Sequence, residues 1–373
     1  MKLALRSAAA PLRGYSLLAP VLPLRGGAQS SRKLSSSAET VTVSIAEARS
    51  KTAAALRKIG WDDEDAALQA EIMTAAELCG NNQGLVKMYN PALMAPSPGT
   101  SKPTVERETA TSAVINANQS PGMLAAVSAA DLALKKLKSQ GGPIAIVTAY
   151  NTSTSSGQLA FYVERMAKQG VIGIALANSP EFVAAAPGGK PVFGTNPIAF
   201  GIPQAHGPPQ TFDMATSAIA LFGVLTSKAK GQPLPEGVAY GKDGKWTVDA
   251  AEALEGGAIA TFGGHKGAGL SLCVELLAGV LSGGAVLGQV PSKKLAKSWG
   301  HTFIAIQPDL LVDDFEGKAA SVLAAVKASG PSIRLPGESS AKTAAQRSAD
   351  DALPIPTKIW QSICHTAEHG LPK

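Results

Sequence analysis

The sequence predicts a mixed α/β protein of the α+β kind, with a sheet-building middle between helical chain ends. Three observations carry this. Between residues 111 and 260, short β-like runs alternate with helical stretches. Residues 42–88, and again 314–328, 340–350 and 356–367, repeat apolar residues at the helical spacing of three and four. No G-x-G-x-x-G follows a strand, and no G-x-x-x-x-G-K-[ST] occurs, so neither a standard Rossmann fingerprint nor a P-loop is supported.

The elements follow in order. Residues 1–38 hold six basic residues and no acid, and are rich in Ser and Ala. That is the composition of an organelle transit peptide, with the mitochondrion as first expectation and the plastid as alternative. The apolar run "SLLAPVLPL" within it is short and interrupted by two prolines, so no membrane span is expected. Helices are expected over "SIAEARSKTAAALRKIG" and "DDEDAALQAEIMTAAELCG", the second opened by acids that favour a helix N-terminus. Residues 90–107 are rich in Pro, Ser and Thr and read as a loop. Strands are expected at "TSAVINA", "GPIAIVTA", "GVIGIALAN", "NPIAFGIP" and "QTFDMA", with helices over 123–138, 157–169 and 216–230. The stretch "KGAGLSLCVELLAGVLS" (266–282) is apolar nearly all round, with Glu275 its single acid, and reads as a buried core helix. One more strand, "HTFIAIQ" (301–307), precedes the last helices.

Composition excludes several functions. The chain has 373 residues, 45% hydrophobic and 17% charged, enough for two domains with real cores. Its net charge of +6 comes entirely from the leader, since the remaining basic and acidic residues number 28 each. The body is therefore neutral, and a nucleic-acid partner is not expected. Cys79, Cys273 and Cys364 lie far apart and read as buried thiols in a reducing compartment. His365 and His369 alone share metal-ligand spacing, and without a nearby base they read as a surface pair, so no metal is expected.

Four stretches have the chemistry of a site. "AYNTSTSSG" (149–157) leaves a strand and enters a helix, where free backbone N–H groups and a positive dipole end favour an anion. "GTNPIAFGIP" (194–203) holds Thr195 and Asn196 in a turn at a strand's entrance. "FDMATS" (212–217) ends a strand with Asp213 and supplies Thr216 or Ser217 as a cap. "GGHKGAGL" (263–270) puts His265 and Lys266 at a helix N-terminus among glycines that let a flat or phosphorylated ligand approach the backbone.

The last three of these stretches, together with "PLPEGVAYGKDG", "GHTFIAI" and "IRLPGE" and in chain order, resemble the second type of malate/L-lactate dehydrogenase family. That family also includes ureidoglycolate, sulfolactate and 2,3-diketogulonate dehydrogenases and cyclic ketimine reductases. The resemblance covers about residues 42–350 and implies a family-specific mixed-sheet NAD(P)-binding domain (119–292), not a Rossmann fold. It also implies a helical domain built from both chain ends (42–118 with 293–373) and a homodimer. The implied reaction is hydride transfer between NAD or NADP and a small 2-hydroxy/2-oxo acid, or reduction of a cyclic imino acid. Carried over by position, the cofactor contacts are Ser179, Asp213, Met214, Ala215, Lys266 and Gly337, Glu338 and Ser339, with the Thr195–Asn196 turn beside them.

The catalytic half departs from the family pattern. Where most members carry "SHG" with an Arg four residues after the His, this chain reads "GNNQGLVKMY", with Gln83 at the His position and Lys87 at the Arg position. Where most have an "NSNHFG"-like loop, it reads "TSTSSG", with Ser155 at the proton-transferring His. An alkoxide formed by hydride transfer must gain a proton, which a serine hydroxyl or an amide supplies poorly. Three readings follow. Another group delivers the proton: Lys87, His265 or a water held by Ser155. Or the substrate is an imine that arrives protonated. Or only nucleotide binding remains.

Overall fold

The computed structural model describes residues 40–81, 83–287 and 298–371, so the expected transit peptide lies outside the described residues. From Thr40 the chain forms β1 (Thr40–Val43), α1 (Ile45–Lys58) and α2 (Asp63–Leu78). The side chains of Ser44 and Asp62 cap the two helices by accepting the N–H of Glu47 and Asp65. Two 3-10 turns follow, Leu85–Tyr89 and Pro91–Met94, then β2 (Thr104–Glu108) and β3 (Ser112–Asn116). β2 falls in the stretch expected to be a loop. It is an exposed edge strand with every side chain solvated, so it lacks the apolar alternation that marks a strand.

The middle of the chain gives α3 (Gly122–Gln140), β4 (Ile144–Tyr150), α4 (Ala160–Ala167) and β5 (Ile172–Ala177). Next come β6 (Val183–Ala184), β7 (Pro191–Phe193), β8 (Ile198–Ile202) and β9 (Gln210–Met214). Then follow α5 (Leu221–Lys230), β10 (Ala239–Tyr240), α6 (Ala250–Leu254) and β11 (Ala258–Ala260). α7 (His265–Val274) continues as a π-helical segment, Glu275–Val280. The last elements are β12 (His301–Ile306), α8 (Phe315–Ala328), α9 (Glu338–Ala349), β13 (Leu353–Pro356) and α10 (Thr357–His369).

Seven strands make one mixed sheet in the order β2-β3-β4-β12-β5-β8-β9. β3 and β4 run parallel, joined by the α3 crossover, and every other neighbouring pair is antiparallel. β12, which the expected division grouped with the helical part, sits at the centre of the sheet. The chain ends meet where β1 pairs with β13 and α10 packs on α1. One core joins these terminal helices to α3, α4 and the sheet through Leu56, Met73, Tyr162, Phe303 and Ile363. A smaller sheet, β10-β11-β6-β7, has its own cluster around Val183, Phe193, Val224 and Ile259.

Alanine and glycine set how close the layers come. A Cβ on Gly201 of β8 would lie 2.2 Å from the Val163 carbonyl oxygen of α4. The helix therefore rests directly on the strand, which fixes the height of its first turn. The helices expected at 157–169 and 216–230 start later, at Ala160 and Leu221: Gly157 and Gln158 line a cavity, while Thr216 bonds the Thr195 and Asn196 carbonyls and Ser217 bridges to Thr261. The 266–282 helix is not buried all round. Gly267, Ser271, Val274, Glu275, Ala278 and Gly279 face inward, while Leu272, Leu276, Leu277, Val280 and Leu281 are exposed. Of the cysteines expected to be buried, Cys273 on this helix is exposed and Cys79 and Cys364 are half-buried.

Candidate active site

The sheet topology brings five strand ends to one edge. β4 and β5 both run antiparallel to β12, so their C-terminal ends lie together beside its N-terminal end, with Ala149 and Ala177 opposite His301. β8 starts and β9 ends at the same edge, with Ile198 opposite Met214. Ser155 after β4, Ser179 after β5, Thr195 before β8, Asp213 to Ala215 at the end of β9 and Trp299 before β12 therefore surround one cavity of about 640 Å³. The segment between α2 and β2 closes it with Gln83, Lys87, Tyr89 and Leu93. Such a volume suits a small-molecule site.

The loop after β4 is held on every side. The Ser153 N–H donates to the Ser120 carbonyl at 2.9 Å, and Thr154 and Thr152 accept from the N–H of Gly122 at 3.0 Å and Ser298 at 2.7 Å. Tyr162 donates its hydroxyl to the Ser156 carbonyl at 2.6 Å. Gly122 has no room for a side chain, since a Cβ would meet the Thr154 oxygen at 2.6 Å. The loop therefore presents a fixed Ser155, whose Oγ accepts a hydrogen bond from Lys87 Nζ. Burial, with no carboxylate beside it, lowers the Lys87 ammonium to about 8.

Asp213 is the acid of the same cavity. Its Oδ2 accepts the N–H of Ala160 at 2.8 Å, at the start of the helix that Gly201 allows to sit low. Burial outweighs that bond and pushes the carboxyl up to about 6. Neighbouring Ser156 meets His301, whose Nε2 lies 3.0 Å from its Oγ. His301 is fully buried, its Nδ1 has no partner among the described residues, and burial lowers it to about 4.

Other expected site residues lie elsewhere. Asn196 is fully buried and does not line the cavity. Its Nδ2 donates to the Ser271 carbonyl at 3.1 Å and to Glu275 at 2.8 Å, while Glu275 also accepts from Asn178 at 3.2 Å. The acid that follows α7 thus anchors the residues next to Ser179 and Thr195, and Asn196 acts as a strut. His265 and Lys266 are exposed at the start of α7. Gly337, Glu338 and Ser339 open α9, where Glu338 pairs with Lys327. None of these five lines the cavity.

Several lining residues carried no signal in the sequence. Leu93 comes from a stretch read as a loop and Phe222 and Leu225 from one read as an ordinary helix, while Tyr89 and Trp299 fall outside every expected element. The indole N–H of Trp299 is buried and has no partner among the described residues.

The comparisons with known proteins agree with this architecture. A family-wide profile described as malate/L-lactate dehydrogenase matches residues 43–364. The chain belongs to the malate/L-lactate dehydrogenase family. It is 35% identical over 266 residues to L-sulfolactate dehydrogenase of Methanothermobacter thermautotrophicus, covering 70% of this chain and 76% of that one. It is 37% identical over 238 residues to the Δ1-pyrroline-2-carboxylate/Δ1-piperideine-2-carboxylate reductase of Pseudomonas aeruginosa, covering 62% and 69%. Among solved structures it resembles Δ1-piperideine-2-carboxylate reductase from Pseudomonas syringae, with TM-score 0.79, 30% identity and 88% and 100% coverage.

As a member of this family the chain is an NAD(P)-dependent oxidoreductase that moves a hydride to or from a small hydroxy or oxo acid. The cavity fits such a group. Met214, Phe222 and Leu225 give apolar walls, and Ser179 and Thr195 a polar rim. Before α7, Gly263 and Gly264 leave open space at a helix N-terminus. When bound, the nicotinamide supplies or takes the hydride.

Asp213 yields a pH prediction. Its carboxyl titrates at 3.8 in the unfolded reference and about 6 when folded, so stability falls as pH rises from about 4 to 6. Asp213→Asn keeps the acceptor for Ala160 and removes the buried charge. Denaturant melts should show it more stable than the parent by about 1–3 kcal/mol at pH 7.5 and equal near pH 4. A loss of stability at pH 7.5 refutes the assignment.

Proposed function

We propose that this enzyme acts on small 2-oxo or 2-hydroxy monocarboxylates rather than dicarboxylates. One observation carries the reading: Lys87 is the single cation among the described lining residues, half-buried and without a carboxylate partner. It supplies one charge for one carboxylate. Much of the remaining lining is apolar, with Val86, Leu93, Met94 and Leu225, so a second carboxylate or a sulfonate would be desolvated without a cationic partner. A cyclic ketimine carboxylate, the substrate class named for the Pseudomonas relatives, is the second reading. It is favoured by the absence of a histidine in the loop, because a protonated imine needs no proton from the enzyme.

Two further proposals attach to this reading. The chain acts as a homodimer, supported by the exposed stripe of Leu272, Leu276, Leu277, Val280 and Leu281 and by α8, which buries no residue of its own and exposes Val322 and Val326. Residues 1–38 direct it to the mitochondrion, supported by their acid-free basic composition.

Each proposal has a test. Titration with NADH and with NADPH should quench the protein's fluorescence in at least one case. With that cofactor, kcat/KM for pyruvate or 2-oxobutyrate should exceed that for oxaloacetate by about tenfold or more, the scale of one unpaired buried charge; a preference for oxaloacetate overturns the proposal. Light scattering should give a dimer for the parent and a monomer for Leu276→Asp/Val280→Glu, and a monomeric parent ends the dimer reading. A fluorescent protein carrying residues 1–38 should enter mitochondria; cytosolic or plastid signal contradicts the assignment.

A further inference from the structure

We propose that Lys87 and Ser155 together deliver the proton that completes reduction of a 2-oxo acid, in place of a histidine. This rests on the 2-oxo acid reading above. The geometry that carries it is the direct hydrogen bond from Lys87 Nζ to Ser155 Oγ at the wall of the cavity. Ser155 accepts in that bond, so its own hydrogen stays available for a ligand. An ammonium has three donors, so Lys87 keeps two after serving Ser155. In a 2-oxo acid the carbonyl oxygen and one carboxylate oxygen lie side by side, and two donors on one nitrogen suit that pair.

The bonding change balances. A hydride, supplied by the reduced nicotinamide, adds to C2 while the C=O π electrons move onto oxygen. That oxygen takes a proton from Lys87 Nζ, directly or through the Ser155 hydroxyl as relay. Lys87 is left as a neutral amine and regains its proton from water. The other candidates are placed less well. His265 is exposed at the start of α7 and does not line the cavity, and His301 lies behind Ser156 with no exposed surface. An amine lowered to about 8 gives up a proton far more readily than a solvated lysine.

Other titratable groups surround the pair. Asp213 on β9 and Tyr89 on the Lys87 turn line the same cavity. Glu77 and Cys79 close α2 ahead of that turn, with burial raising Glu77 to about 7 and Arg347 of α9 bonding the Glu77 carbonyl. His301 of β12 bonds Ser156, and α10, which packs on the turn, carries Cys364, His365 and Glu368. Only a limb that vanishes on replacing Lys87 is therefore assigned to it.

Lys87→Arg separates proton delivery from carboxylate binding, because arginine keeps the charge and does not release a proton near neutrality. In the full-length enzyme, kcat/KM for reduction, which follows the free enzyme, should fall as pH rises through about 8 in the parent. Lys87→Arg should lower kcat by about 100-fold or more, keep KM within about fivefold and lose that limb. Ser155→Ala should lower kcat by about tenfold or more and shift the limb. Independently of turnover, the Nζ resonance of 15N-lysine-labelled protein that disappears in Lys87→Arg should titrate near 8. Lys87→Arg with the parent's kcat and pH profile, or a Lys87 resonance titrating above 10, overturns proton delivery alone. A parent that reduces no 2-oxo acid overturns both this and the reading beneath it.

Discussion

The site depends on β12 lying antiparallel between β4 and β5. Had β4 and β5 paired directly, their C-terminal loops would still share an edge, but no incoming strand would bring Trp299 and His301 between them. The inserted strand does so, and its own residues hold the structure at that point. Phe303 stacks edge-on against Tyr162 with ring centroids 5.8 Å apart, and Tyr162 in turn bonds the Ser156 carbonyl. Core packing and loop position are thus linked through one tyrosine. A residue placed some 150 positions after the loop in sequence decides where Ser155 sits.

The cavity is charged in an economical way. Lys87 and Asp213 both line it, and neither forms an ion pair among the described residues. Burial moves both toward neutrality, the lysine down to about 8 and the aspartate up to about 6. Near neutral pH the pair therefore keeps one positive and one negative group, each poised close to its titration. An anion entering beside Lys87 restores the partner that desolvation removed, so binding and charging of the lysine reinforce each other. Glu275 is a different kind of buried acid. Two asparagine amides donate to it, and it serves geometry by holding the Asn178 and Asn196 turns against α7.

Much of the fold was legible because the central strands are continuous apolar runs and most helices show clear spacing. What escaped were β2, whose side chains are all solvated, and the two- to four-residue strands β1, β6, β7, β10, β11 and β13, too short to show a period. The α7 stretch misled for a physical reason: an apolar helix looks the same in sequence whether its second face meets its own core or is left exposed on a single chain. At the site, motif order located Ser155, Ser179 and Asp213, because each follows or ends a recognisable strand. It could not tell lining from support. Asn196 has the residue type and position of a contact, yet its amide is spent on Glu275. Nor could spacing announce that Lys87 and Ser155 touch, since 68 residues separate them and two elements of different kinds must converge.

The "TSTSSG" loop is held firmly enough to place a reacting group. A loop released from constraint would be expected to lose its close contacts, since each is costly to keep. Here Asn151 holds a left-handed backbone with φ of 60°, its amide bonding Asn116 at 2.8 Å. Gly122 leaves the space that the Thr154 carbonyl fills, and four backbone groups between Thr152 and Ser156 have specific partners. That degree of fixation is what positions a reacting group, because a hydroxyl that wanders by an ångström forfeits most of its benefit. The group so fixed is Ser155, and the partner it is fixed against is the one cation among the described lining residues.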